Sequence, residues 1–306
     1  MKTYKEAIHE ALKIAQEVNP TVFVMGEGVD DPKGVFETTK DLPRAYDMPL
    51  CEEGFTGFAI GAALMDMRPV IVHARVDFML VGMNQLVNMA AKIHHSSGGK
   101  QHVPIVIRAI IGKGWGQGSQ HSQSLLSTFA HIPGLKVIAP SNAYDAKGML
   151  LHAIFEEQDP VIFIEHRRLY DLEDEVPDGY YTEFPGVKVV RSGATKTIVG
   201  MSYTTPLAIH ENHVAEIVDV SSLRSLYGKE LILNSLKRTG YIEIWEPDWI
   251  ACGISAEIAA WVAEEYLGVR RKGFADCPSP TSWKLEEDFY GTKGLPGECI
   301  PGEGPF

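Results

Sequence analysis

The chain of 306 residues has room for two domains of ordinary size. Its 45% hydrophobic and 22% charged residues are the composition of a globular soluble protein, and a net charge of −12 argues against the clustered Lys and Arg of a nucleic-acid-binding surface. No apolar run is long enough to span a membrane, and Met1-Lys2-Thr3-Tyr4-Lys5-Glu6 lacks the apolar core of a signal peptide. Cys51, Cys252, Cys277 and Cys299 have no metal-ligand spacing and read as free thiols of a reducing compartment, by default the cytoplasm.

Apolar side chains recur at helical spacing from about Tyr4 to Val18, and Asn19-Pro20 stops the helix. Thr21 to Met25 reads as a buried strand ending at Gly26-Glu27-Gly28. A helix from Phe55 to Met67, a strand from Val70 to Ala74 and a helix from Met83 to His94 follow. Val103 to Ile111 is strand-like and leads into a glycine-rich loop, Gly112 to Gly118. Leu135 to Ala139 and Val161 to Glu165 are two more short apolar runs, with a helix from Ala143 to Phe155 between them. This alternation predicts an α/β domain with a mainly parallel sheet.

Asp171 to Pro185 is acidic, contains Pro177, Gly179 and Pro185, and reads as an extended linker. Beyond it the pattern restarts, with strands near Thr197 to Met201, Ala215 to Val220 and Tyr241 to Trp245, and helices at Lys229 to Arg238 and Ser255 to Tyr266. A smaller α/β domain is expected there, ending in an irregular Gly/Pro-rich tail from Gly291 to Phe306. Neither glycine cluster has the spacing of a phosphate-binding fingerprint.

Four places in this pattern carry candidate chemistry. Pro49-Leu50-Cys51-Glu52-Glu53-Gly54-Phe55-Thr56-Gly57 puts two carboxylates at the mouth of a nearly uncharged helix rich in small residues. First-turn acids are favoured by the helix dipole alone, but a carboxyl group at the edge of a dry site can also keep a usable proton. His121 follows a strand and a glycine loop, where active-site residues of α/β folds often sit, although a lone histidine is more often structural. Phe78 could be simple packing, and Glu27 a solvated turn acid.

The stretch Pro49 to Ala63 closely resembles the cofactor-activating segment of the transketolase-like thiamine diphosphate enzymes, nearest the beta subunit of the decarboxylase component of 2-oxo acid dehydrogenases. Gln120-His121-Ser122-Gln123 is similar to that family's Q-H-S-Q, and the match runs from Tyr4 to Tyr170 almost unbroken. The resemblance implies a pyrimidine-binding domain over 1–175 and a transketolase C-terminal-like domain over 186–306. It also implies that Glu52 hydrogen-bonds the cofactor's aminopyrimidine and sets its tautomer, so that the ring removes the thiazolium proton. By the same resemblance Phe78 stacks on the aminopyrimidine, His121 assists acyl transfer, and Glu27 belongs to an acidic channel between two cofactor sites. Glu53 sits where the family varies and reads as structural.

No Gly-Asp-Gly occurs in the sequence. In the family that motif grips the magnesium ion of the diphosphate, so the diphosphate half of the site is expected from an alpha subunit, in an α2β2 assembly. A family potassium site maps onto Ile105, Ala153, Ile154, Glu156 and Gln158, where Glu156 and Gln158 replace a shorter acid and amide. Between the strands at Thr197 and Ala215 the family has a full helix, but Ser202 to Val214 contains Thr204-Thr205-Pro206 and has room for only a turn or two. The family's final helix is replaced by the Gly/Pro-rich tail. Docking to an acyltransferase core is therefore left open. The alternatives are a split transketolase-like or carboligase subunit working without such a core, and a non-catalytic scaffold, which Glu52, Phe78 and His121 together oppose. Ser97-Gly98-Gly99 is more like the pyruvate and acetoin branch than the branched-chain one.

Overall fold

The structure is a computed structural model that describes residues 1–112, 116–265 and 269–274. Lys113, Gly114 and Trp115 of the glycine loop, Cys277, Cys299 and the Gly/Pro-rich tail lie outside the described residues.

The chain opens with a two-residue strand, β1 (Lys2–Thr3), and helix α1 (Tyr4–Val18). Thr3 and Glu6 form a capping box, in which the Thr3 hydroxyl accepts from the Glu6 N–H at 3.3 Å and Glu6 Oε2 accepts from the Thr3 N–H at 2.7 Å. Tyr4, Ala7, Ile8, Ala11, Leu12 and Ala15 form the buried stripe that the sequence spacing predicts.

Six strands build the first sheet: β2 (Val22–Gly26), β3 (Ala45–Asp47), β4 (Arg68–His73), β5 (Val106–Ile111), β6 (Lys136–Ile138) and β7 (Val161–His166). All pair parallel in the order β3-β2-β4-β5-β7-β6. The inner strands are buried on both faces, which is why they read as continuous apolar runs rather than alternating ones. Helices α2 (Glu52–Ala63), α3 (Ala91–Ser96), α4 (Leu126–Ala130) and α5 (Ala143–Phe155) lie along the sheet. The helix expected from Met83 to His94 is wound differently. Gln85–Ala90 forms a wider π-turn before α3, where Gln85 meets Gly57 and Gly82 meets Thr56 across the gap to α2. The linker contributes β8 (Glu173–Asp174), which pairs with β1.

The second sheet has the order β13-β12-β10-β11-β9 among the described residues. It contains β9 (Val187–Arg191), β10 (Thr197–Gly200), β11 (Glu216–Val220), β12 (Ile242–Trp249) and β13 (Val269–Phe274). Only β9 runs antiparallel to its neighbour. Helices α6 (Thr204–Glu211), α7 (Glu230–Thr239) and α8 (Ile254–Glu265) complete the unit, and α6 has the two turns that Pro206 and its neighbours allow.

The sheets meet through backbone and side chain. The Ala139 N–H donates to Ser221 O at 2.8 Å, and the Leu223 N–H donates to Val137 O at 2.9 Å. Ser124 Oγ donates to Pro247 O at 2.5 Å. One apolar core runs through both units, from Phe55 and Ile107 to Val218 and Ile258.

Candidate active site

In a parallel sheet the loops at the carboxyl ends of the strands share one edge, and ligands bind there. Glu27 follows β2, Asp77 and Phe78 sit in a 3-10 turn after β4, and His121 ends a 3-10 turn after β5. Helix α2 starts with Glu52 beside this edge. Gly26 sets the approach of Glu27: its φ is +153°, and a Cβ there would meet Val72 O at 2.2 Å.

The carboxyl groups of Glu27 and Glu52 lie beside one another, close enough to interact electrostatically. Burial first, then the negative charges of Glu52 and Asp47, push the Glu27 carboxyl above its ordinary range. Glu27 Oε1 is buried without a hydrogen-bond partner. Glu53 is exposed.

The Phe78 and His121 rings meet edge to face, with centroids 5.5 Å apart and an interplanar angle of 81°. His121 Nδ1 is buried with no hydrogen-bond partner. Sequence reasoning missed two residues beside them. Gln123 Nε2 donates to Asp77 Oδ1 at 2.7 Å, and burial raises the Asp77 carboxyl against the opposing effect of that bond. The signal available was Asp77 adjoining Phe78 and Gln123 lying two residues beyond His121.

Gly82 joins the two groups of residues, since a Cβ there would lie 3.1 Å from Thr56 Oγ1 and 3.4 Å from Glu52 O. The turn that carries Phe78 is thus packed on the first turn of α2. A carboxyl pair, an aromatic face and an imidazole with an unpaired nitrogen fit an aminopyrimidine, which is flat and bears ring nitrogens to be hydrogen-bonded. Around them the surface is apolar, with Leu50 84% and Phe58 63% exposed and Leu80 and Val81 also exposed.

The potassium assignment does not fare as well. Ile105, Ala153, Ile154, Glu156 and Gln158 do gather near the end of α5 and the entry to β5. The Ile154 carbonyl, however, accepts from Arg68 at 3.0 Å, the Ile105 carbonyl accepts from the Val161 N–H at 3.0 Å, and Glu156 and Gln158 are exposed. These residues do not present the oxygen cage that the ion needs, because a guanidinium already occupies the negative end of α5.

A model of the transketolase pyrimidine-binding domain matches residues 1–173, and one of the transketolase C-terminal domain matches residues 186–293. The beta subunit of acetoin:2,6-dichlorophenolindophenol oxidoreductase from Cupriavidus necator is 39% identical, over 94% of this chain and 92% of that protein. The pyruvate dehydrogenase E1 component subunit beta of Rickettsia felis is 35% identical, over 93% of each. Among solved structures, a split-gene transketolase described as an inactive beta4 tetramer shares the fold, with a TM-score of 0.77 at 20% identity over 96% of this chain and 94% of that one. With the strand-end carboxylates and the Phe78–His121 pair in place, these likenesses assign the chain to the transketolase-like family that includes the pyruvate dehydrogenase E1 beta subunits.

Proposed function

We propose that the chain is the beta subunit of a thiamine diphosphate-dependent 2-oxo acid dehydrogenase, acting on a small substrate of the pyruvate or acetoin type in the cytoplasm. The observation that carries this reading is the neighbouring Glu27 and Glu52 carboxyl groups at the sheet edge that also holds Phe78 and His121. When bound, thiamine diphosphate supplies a carbon nucleophile and an electron sink for cleavage beside the substrate carbonyl. Glu52 would hydrogen-bond a ring nitrogen of the aminopyrimidine, with the partly buried Glu27 carboxyl beside it. Phe78 orients the ring by stacking, and His121 offers its free nitrogen to the group being transferred.

An alpha subunit supplies the diphosphate and magnesium site, since the sequence has no Gly-Asp-Gly. It covers the exposed Leu50 and Phe58 in an α2β2 assembly whose beta chain divides into domains at 1–175 and 186–306. The test is reconstitution. With an alpha subunit, the enzyme releases carbon dioxide from pyruvate or reduces 2,6-dichlorophenolindophenol with acetoin, while the chain alone does neither and binds thiamine diphosphate weakly in calorimetry. Tight magnesium-dependent binding by the chain alone contradicts the shared site. The two-turn α6 favours one alternative, a split transketolase-like or carboligase subunit without an acyltransferase core. Ketol transfer between sugars with no carbon dioxide release selects it.

A further inference from the structure

At the amino-terminal edge of the first sheet, opposite the carboxylate pair, three side chains from separate elements converge. His94 stands in the last turn of α3, His102 in the segment entering β5, and Asp159 in the turn entering β7. One nitrogen from each imidazole and one carboxylate oxygen lie within 4.8 Å of one another. The two rings stack with centroids 4.2 Å apart and tilt by 29°.

The hydrogen bonding leaves one nitrogen of each ring without a protein partner. His94 Nδ1 lies 3.1 Å from the Gln101 carbonyl, so it carries the proton and leaves Nε2 as a bare lone pair. The Ser97 hydroxyl holds this loop, accepting from the Gln101 N–H at 3.0 Å and donating to His94 O at 3.1 Å. His102 Nδ1 is buried with no hydrogen-bond partner and faces Asp159 Oδ1 at 3.5 Å, too far for a good bond. A cavity of about 390 Å³, lined by His94, His95, Pro133 and Asp159, adjoins the cluster and leaves room for a coordinating water.

We propose that His94, His102 and Asp159 bind a divalent transition ion of the zinc type, with water as the fourth ligand. Two imidazoles and one carboxylate suit zinc, whereas calcium and magnesium prefer oxygen alone. Ligand atoms on a tetrahedral zinc stand roughly 3.3 Å apart and the ion lies in the plane of each imidazole, so capture requires the groups to close by up to about 1.5 Å and the stacked rings to rotate towards the ion. The ion cross-links α3 to the entries of β5 and β7. It is a structural site, remote from the candidate active site and independent of the function proposed above.

The test uses the full chain, stripped with chelator and titrated with zinc chloride. One ion binds per chain, the melting temperature rises by a few degrees, and His102→Ala and the conservative Asp159→Asn both lose that rise. Cobalt(II) in place of zinc gives a visible spectrum free of thiolate charge transfer, because no cysteine belongs to the site. Absence of stoichiometric binding overturns the proposal, as does binding undiminished in the His94→Ala/His102→Ala double variant. A thiolate band that disappears in Cys51→Ser or Cys252→Ser moves the site to the exposed cysteines and overturns it as well.

Discussion

Glu27, just after β2, and Glu52, in the first turn of α2, place their carboxyl groups beside one another. Burial is the main cause that raises the Glu27 carboxyl above its ordinary range, and the neighbouring charges of Glu52 and Asp47 add to it.

In the assembled enzyme, Glu52→Gln is expected to lower kcat by roughly a hundred- to ten-thousandfold, the usual scale of a general acid–base group. Glu53→Gln has little effect, since that side chain is exposed. Glu27→Gln, whose amide can donate a hydrogen bond to the neighbouring Glu52, is milder than Glu27→Leu. Equal losses from Glu52→Gln and Glu53→Gln in steady-state kinetics would falsify the choice of carboxylate.

Phe78 and His121 separate binding from transfer. Phe78→Leu removes a ring face worth about 0.5–1.5 kcal/mol, so the apparent affinity for thiamine diphosphate falls roughly two- to tenfold. His121→Ala keeps carbon dioxide release to an artificial electron acceptor and loses transfer to a lipoyl domain. Loss of both activities in that variant shows that His121 acts before transfer.

Asp219 provides a pH test in the second domain. Burial lifts its carboxyl to about 7, with Thr205 donating to Oδ1 and Oδ2 left without a partner. A carboxyl that holds its proton more tightly in the folded state contributes most below its unfolded value, near pH 4, and that contribution is lost as pH rises through 7. Asp219→Asn is therefore expected to match the parent chain near pH 4 and to be more stable at pH 8, measured by urea unfolding at both values. Two buried histidines work in the opposite sense. Burial lowers His73 and His166 to about 3, so their contribution is present above pH 6.5 and lost on acidification towards 3.

Asp248 ties the second domain to the segment after His121. Its Oδ2 accepts the Leu126 N–H of α4 at 2.8 Å, and α4 begins three residues beyond Gln123. Asp248→Ala leaves that N–H unpaired and costs about 1–3 kcal/mol. Hydrogen exchange at Leu126 accelerates as a result; unchanged exchange shows that the contact between the domains does not depend on this carboxylate.

Much of the architecture follows from local chemistry. Helices α1 and α5 have the bounds that the sequence predicts, because their caps, Thr3 with Glu6 and Asn142 with Asp145, are complete within four residues. Strands β2, β4, β5 and β7 are legible because burial on both faces demands unbroken apolar runs. The edge strands β3, β9 and β13 are not, since an edge position relaxes that demand, whereas the edge strand β6 is legible because the second unit covers it and buries Val137 and Ile138.

The residues of the candidate site were likewise readable one at a time, from their motifs, while their relationships were not. Only the parallel order of β2, β4 and β5 brings Glu27 to Glu52, and Phe78 to His121, across gaps of 25 and 43 positions in the 306-residue sequence. Asp77 is paired with Gln123, and His94 and His102 meet Asp159, through contacts that no local pattern encodes. A motif reports what the chain can form with its immediate neighbours. Burial, neighbouring charges and converging ligands depend on which strands the sheet places side by side.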